Sequence, residues 1–375
     1  MRWPLGSVSV SLAFALAVGL GFSGCSRRPG PAGGPAGATS TPSAKSSSSP
    51  PANELVQTGA ALYQRYCELC HAKDATGYAA DNAPSLVTRT FLESADDAFL
   101  TRAIRAGRPS TAMGAYGKDR GGPLDSSSIA AIVAFLRSRA PVTRAVLGGV
   151  SHGNAAHGAT LYQTECASCH GSETERKTAL SLFNPELLAS ASSGFLRYAI
   201  TNGRAPTPMP AFGGKLTPAD IEDLVSFFAS KKVPPPAPSA SASSGVPKDL
   251  PVVINPKGRP PVFKPREDRF VSVDEVKKAL DEKRRIVIVD ARSPADWVLY
   301  HIPGAISGPY YNAQELERIP NDGTWVIAYC ACPHHASGAV VDALRTKGYK
   351  HTAVLDEGIL VWKSKGYPLA GETKQ

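Results

Sequence analysis

Gly59-Ala-Ala-Leu-Tyr-Gln-Arg-Tyr-Cys67-Glu-Leu-Cys70-His71 returns 99 residues later as Gly158-Ala-Thr-Leu-Tyr-Gln-Thr-Glu-Cys166-Ala-Ser-Cys169-His170. Further along, Ala103-Ile-Arg-Ala-Gly-Arg-Pro matches Ala199-Ile-Thr-Asn-Gly-Arg-Ala-Pro. Two copies of this length point to a duplicated domain rather than a solenoid, which needs more repeats to close its core. Each copy opens with a helix leading into its cysteines and closes with another. In the second copy Thr217 is placed as N-cap, Pro218 at N1 and Asp220 as the acid of a capping box. Ile221, Leu224, Val225 and Phe228 then share one helical face. In the first copy Asp125 caps, and Ile129, Ile132, Val133 and Leu136 form the same stripe. Two small all-α domains are expected, over 54–141 and 153–231.

Cys-x-x-Cys-His is the attachment motif of c-type haem. Two thiols add across two vinyl groups, and the adjacent imidazole reaches the iron. Cys67, Cys70 and His71 form one such set, and Cys166, Cys169 and His170 the other. The other readings of the motif are a thioredoxin-like redox pair, which wants a βαβ setting, and half of a zinc site, which wants further ligands at suitable spacing. The copies offer neither. Apart from Met1 the chain has two methionines: Met113, 42 residues after His71, and Met209, 39 residues after His170. One per copy, in matching places, marks them as candidate sixth ligands. Met/His ligation favours a higher potential and leaves no open site on the iron. Two covalently bound haems c are thus expected to carry electrons rather than bind substrate.

These features resemble class I cytochrome c domains. Met209-Pro-Ala-Phe-Gly-Gly is close to that family's axial-ligand segment, and Ala112-Met113-Gly-Ala-Tyr116 is a looser match. The resemblance implies that an upstream proline carbonyl orients the ligating imidazole. Pro84 suits that part in the first copy, and the second shows no counterpart. His152 and His157, at the junction, are read as solvated linker residues.

From Arg269 the pattern changes. Phe270-Val271 enters a strand, and Ser272 with Glu275 forms a capping box. Arg285–Asp290, Trp325–Tyr329 and Thr352–Leu355 read as short buried strands, and Gly338–Lys347 as a helix. Strands alternating with helices predict an α/β domain with a parallel sheet over 267–372. Cys330 falls at the carboxyl end of the second of these strands, where reactive groups collect in such sheets. The alternative for Cys330 is a structural role in the core. Asp290-Ala-Arg292-Ser-Pro-Ala-Asp296-Trp297, His301-Ile-Pro-Gly304-Ala305, Glu357-Gly358 with Trp362, and Gly366-Tyr-Pro368 resemble the rhodanese-like family. That resemblance implies a catalytic nucleophile at Cys330, carrying a persulfide between a sulfane-sulfur donor such as thiosulfate and an acceptor. The loop departs from the common pattern, with Pro333 and His335 where Gly and Arg are usual. It resembles the Cys-x-Cys-Pro variant, and Cys332 either resolves the persulfide or lines the loop.

The first 25 residues join a basic start at Arg2 to an apolar run, Val8–Phe22, that ends in Ser-Gly-Cys25. This resembles a lipoprotein signal peptide, with lipidated Cys25 as a membrane anchor; an ordinary signal peptide is the other reading. Either way a periplasmic or cell-surface location is expected. Residues 26–53 and 232–266 are rich in Pro, Ser, Ala and Gly and read as a tether and a linker. The net charge of +9 is spread without a basic patch interleaved with aromatics, so nucleic acid is not an expected partner. Two functions fit. In one, sulfur handled at Cys330 feeds electrons to the haems, making the chain a sulfur-oxidising or sulfurtransferase enzyme as well as an electron carrier. In the other, the haems shuttle electrons between redox partner proteins, toward a terminal oxidase or reductase, and the third domain only binds.

Overall fold

One helix crossing organises each repeat. The first repeat comprises α1 (Ala52–Tyr66), α2 (Glu68–His71), α3 (Arg89–Ser94), α4 (Asp97–Ala106) and α5 (Ser126–Arg139). The second comprises α6 (Ala155–Glu165), α7 (Ala167–His170), α8 (Pro185–Ser190), α9 (Ser193–Asn202) and α10 (Pro218–Ser230). A Cβ built on Gly59 of α1 would lie 1.9 Å from the carbonyl oxygen of Ala131 on α5. One built on Gly158 of α6 would lie 2.0 Å from that of Asp223 on α10. The repeated glycine therefore lets the first and last helices touch backbone to backbone. Both closing helices start as the sequence predicts. Asp125 accepts the Ser128 amide, and Thr217 and Asp220 form a reciprocal capping box with Pro218 in the first turn. The predicted apolar stripes are buried in each.

The computed structural model describes residues 52–234, 246–247, 249–331 and 334–372. The leader-like segment with Cys25, nearly all of 26–53, residues 235–245 of the expected linker, Cys332 and Pro333 lie outside the described residues. No helix among those described is long and apolar enough to cross a membrane.

The two helical domains share one continuous core. α3 packs on α9 and α4 on α8, so the two halves of the contact mirror each other. Phe99 stacks on Phe195 at 4.6 Å between ring centroids. Thr90 donates to the Gly203 carbonyl at 2.7 Å, and Arg204 donates back to the Thr90 carbonyl at 2.9 Å. Glu186 of the second domain is fully buried against Arg102 and Arg120 of the first, at 3.0 and 3.7 Å.

The third domain is a five-stranded, all-parallel sheet in the order β1-β5-β4-β2-β3. Its strands are β1 (Phe270–Val271), β2 (Ile286–Asp290), β3 (Ile306–Ser307), β4 (Trp325–Tyr329) and β5 (Thr352–Leu355). Its helices are α11 (Val273–Asp281), α12 (Pro294–Leu299), α13 (His335–Thr346) and α14 (Gly358–Ser364). Every residue of β2 is buried, because cores lie on both faces of the sheet. Ser272 and Glu275 make the predicted capping box, while α13 begins three residues before the helix expected at Gly338. Of the segment read as a linker, the described part from 249 makes ordered contacts. Ile254 exchanges both backbone hydrogen bonds with Ile286 beside β2, and Phe263 is buried. Its prolines break regular structure without preventing these few apolar side chains from anchoring it.

Candidate functional site

Cys67 closes α1 by donating its amide to the Tyr63 carbonyl, at 2.8 Å, and its own carbonyl accepts from His71 at 2.9 Å. Cys166 does the same with Tyr162 and His170, both at 2.9 Å. The short helices α2 and α7 thus hold two thiols and an imidazole on a single turn in each domain. Both imidazoles are buried. His71 donates through Nδ1 to the Pro84 carbonyl at 2.9 Å, and His170 donates through Nδ1 to the Leu180 carbonyl at 2.8 Å. This fixes the tautomer and leaves the Nε2 lone pair of each ring as the one that could ligate a metal. Burial lowers the pKa of both rings and so favours the neutral, ligating form. Burial also pushes the Cys67 thiol up to about 12 and the Cys166 thiol up to about 11.

The Leu180 carbonyl is a group that sequence reasoning missed. A backbone oxygen has no side-chain signature, and only a Pro at that place would have drawn the eye.

Met113 and Met209 sit in matching loops. Each methionine carbonyl accepts from the amide of the arginine five residues earlier, Arg108 at 2.7 Å and Arg204 at 3.0 Å. Each methionine amide donates to a threonine hydroxyl, Thr111 at 3.1 Å and Thr207 at 3.3 Å. Both side chains are half-buried. Two thiols, a neutral imidazole with one nitrogen available and a thioether make a donor set that fits covalently bound haem. It recurs in both domains. His157 and His152 are exposed; His157 lies on α6 and pairs with Asp223 at 2.7 Å.

In the third domain Cys330 follows β4 directly and is 1% exposed. Its Sγ lies 3.3 Å from the Ser337 hydroxyl in the first turn of α13, and its carbonyl accepts from Ile359 at 3.0 Å. Gly358 comes so close that a Cβ there would lie 2.6 Å from the Cys330 carbonyl oxygen. His335 is exposed, whereas His334 meets Asp356 at 2.6 Å. The Asp-x-Arg and His-x-x-Gly-Ala segments build the scaffold of this end of the sheet. Arg292 grips Asp290 through Nε at 2.9 Å and a terminal nitrogen at 2.7 Å. Tyr329 donates to the same carboxylate at 2.8 Å. His301 stacks on Trp297 at 3.8 Å and bonds its carbonyl at 2.7 Å.

Residues 54–136 and 153–228 match the family Cytochrome C oxidase, cbb3-type, subunit III, and residues 272–365 match the Rhodanese-like domain. Over 86 residues the chain is 32% identical to cytochrome c6 of Limnospira maxima, covering 94% of that protein and 21% of this chain. The chain is a tandem cytochrome c carrying a rhodanese-like domain. This cytochrome is also 29% identical over 183 residues to the Cbb3-type cytochrome c oxidase subunit FixP of Bradyrhizobium sp. (strain ORS 278). That match takes 46% of the chain and 59% of the subunit, so the cytochrome spans little more than half of that relative. Its rhodanese-like part is 31% identical over 97 residues to the probable adenylyltransferase/sulfurtransferase MoeZ of Mycobacterium tuberculosis (strain ATCC 25618 / H37Rv), covering 25% of this chain and 24% of that protein. Cytochrome c domains imply covalently bound haem c.

Proposed function

We propose that this cytochrome holds two haems c and moves electrons outside the cytoplasm, with sulfur handled at Cys330 as their source. Cys67, Cys70, His71 and Met113 would hold one haem; Cys166, Cys169, His170 and Met209 the other. The observation that carries this reading is the repeated imidazole, buried and donating through Nδ1 to a carbonyl immediately after each thiol pair. Haem bound there supplies one-electron redox chemistry. The chain's own residues bind it, orient the imidazoles and keep them neutral. At the third domain Cys330 is the nucleophile toward a sulfane-sulfur donor, with Ser337 placed to bond its sulfur. The basic, apolar leader ending in Cys25 supports export and lipid anchoring, and the matched oxidase subunit is consistent with a membrane-associated redox partner.

Two measurements test the proposal. The pyridine haemochrome of the denatured protein, with haem still attached to the chain, should correspond to two covalent haems per chain. Anaerobic addition of thiosulfate should reduce the haem bands in the native protein and not in Cys330→Ser; reduction that survives that substitution overturns the sulfur coupling. The deep burial of Cys330 favours a second reading, in which the third domain binds without turnover and the haems only relay electrons between partners. Under it, no sulfite is released from thiosulfate.

A further inference from the structure

The rhodanese-like domain touches the first cytochrome domain at the elements that carry its haem ligands. Tyr310 donates to the Tyr66 carbonyl at 2.7 Å, one residue before Cys67. Arg65 donates to the Tyr311 carbonyl at 3.2 Å. Tyr66 and Tyr311 meet edge to face at 4.9 Å, and the Tyr116 hydroxyl lies 3.4 Å from that of Tyr310. The Tyr311 hydroxyl is buried among these rings with no hydrogen-bond partner among the described residues. On the other ligand loop, a Cβ built on Gly114 would lie 2.1 Å from an Asp296 carboxylate oxygen and 2.7 Å from the Ser293 hydroxyl. Gly114 follows Met113. Ala112, which precedes it, packs against the cores on both faces of the sheet. Leu69, between Cys67 and Cys70, packs against the cluster that contains Cys330, and α2 contacts α13.

The second copy lacks this surface. Where the first copy has Tyr66, Leu69 and Gly114, the repeat places Glu165, Ser168 and Pro210. Ser168, Pro210 and Cys169 are exposed, while Leu69 and Cys70 are half-buried and Gly114 is buried. Two copies of one domain thus differ at the positions that meet, or would meet, the third domain. Covering a large apolar side chain is favourable, so the asymmetry fits a one-sided docking.

From this asymmetry we infer that the rhodanese-like domain is a fixed partner of the first haem site alone, and that charge loaded at Cys330 acts on that site and spares the second. The inference rests on the proposed sulfur chemistry for its natural trigger. The Cys330 thiol attacks the outer sulfur of thiosulfate. A new S–S bond forms at Cys330, the S–S bond of thiosulfate breaks, and hydrogen sulfite leaves with the bonding pair and the thiol proton. A neutral thiol becomes an anionic persulfide. Cys330 belongs to the core cluster against which Leu69 and Ala112 pack, so negative charge there opposes reduction and the potential of the first haem falls.

The experiment is a spectroelectrochemical titration of the holoprotein in a Cys332→Ser background. Cys330 is left unmodified, loaded from thiosulfate, or alkylated with iodoacetate or iodoacetamide. The last two add groups of similar size, of which only the carboxymethyl is charged. One of two potentials should fall with persulfide or carboxymethyl and hold with carbamidomethyl. Tyr310→Ala with Tyr311→Ala should abolish the shift while mass spectrometry still finds Cys330 modified. Equal shifts at both haems, no shift with the carboxymethyl group, or a shift that survives the double substitution would overturn the inference. Failure of thiosulfate to load Cys330 counts against the sulfur reading, and the alkylated forms then still decide the docking.

Discussion

Nδ1 of His170 lies 2.8 Å from the carbonyl oxygen of Leu180, the counterpart of the 2.9 Å contact between His71 and Pro84. The second imidazole is therefore aimed as firmly as the first, although the chain around it differs. On the proposed ligation, His170→Gln removes an iron ligand and leaves both thioether-forming cysteines in place. Two haems per chain are expected to remain, with one losing its six-coordinate spectrum. The pyridine complex gives the count, and ferric absorption and electron paramagnetic resonance give the coordination.

Gly158→Ala places a methyl group 2.0 Å from the Asp223 carbonyl oxygen, where neither backbone can yield cheaply. The gain in helix propensity, about 1 kcal/mol, is smaller than the clash. A net loss of about 1–3 kcal/mol is expected from overpacking, read as a lower midpoint in thermal unfolding. Gly59→Ala should behave alike, whereas Gly214→Ala, which meets nothing within 4 Å, should not.

Glu222 is held by Arg197, with further help from Ser151, and its pKa falls from 4.5 to about 2. A carboxylate depressed on folding stabilises the fold above its unfolded pKa. That contribution fades as pH drops through the folded value. Glu222→Gln should therefore cost about 1 kcal/mol at neutral pH, the pair being partly exposed, and the cost should shrink between pH 4.5 and about 2. Urea unfolding of both proteins across that range checks it.

Asp290→Asn leaves the buried Arg292 guanidinium without its counter-charge. Removing one partner of a buried pair costs about 3–5 kcal/mol. The rhodanese-like domain should then unfold at markedly lower denaturant, while the helical pair stays folded. Both residues are almost wholly inaccessible, so solvent cannot compensate.

Much of this was legible in the sequence because it lay in side-chain type and spacing. The two Cys-x-x-Cys-His turns, the caps at Asp125, Thr217 and Ser272, and the strands of the third domain carry local signals. What escaped was written in backbone or in distance. The Leu180 carbonyl belongs to no residue type, and nothing in the loop's sequence marked His334 as the partner of Asp356. The docking of Tyr310 and Tyr311 on Tyr66 joins residues some 244 apart, and no period reports such a meeting. The segment from 249 to 266 looked like linker because prolines dominate it, yet Ile254 and Phe263 suffice to bind it down.

Glu186 gives the pair of helical domains a shared fate. A carboxylate with no exposure, belonging to one domain and neutralised by two arginines of the other, cannot be stranded without a heavy desolvation cost. Separation would also unstack Phe99 from Phe195 and reopen the common core. The duplicated halves are therefore expected to melt together, as a single calorimetric transition, and each half isolated by truncation would be less than half a protein.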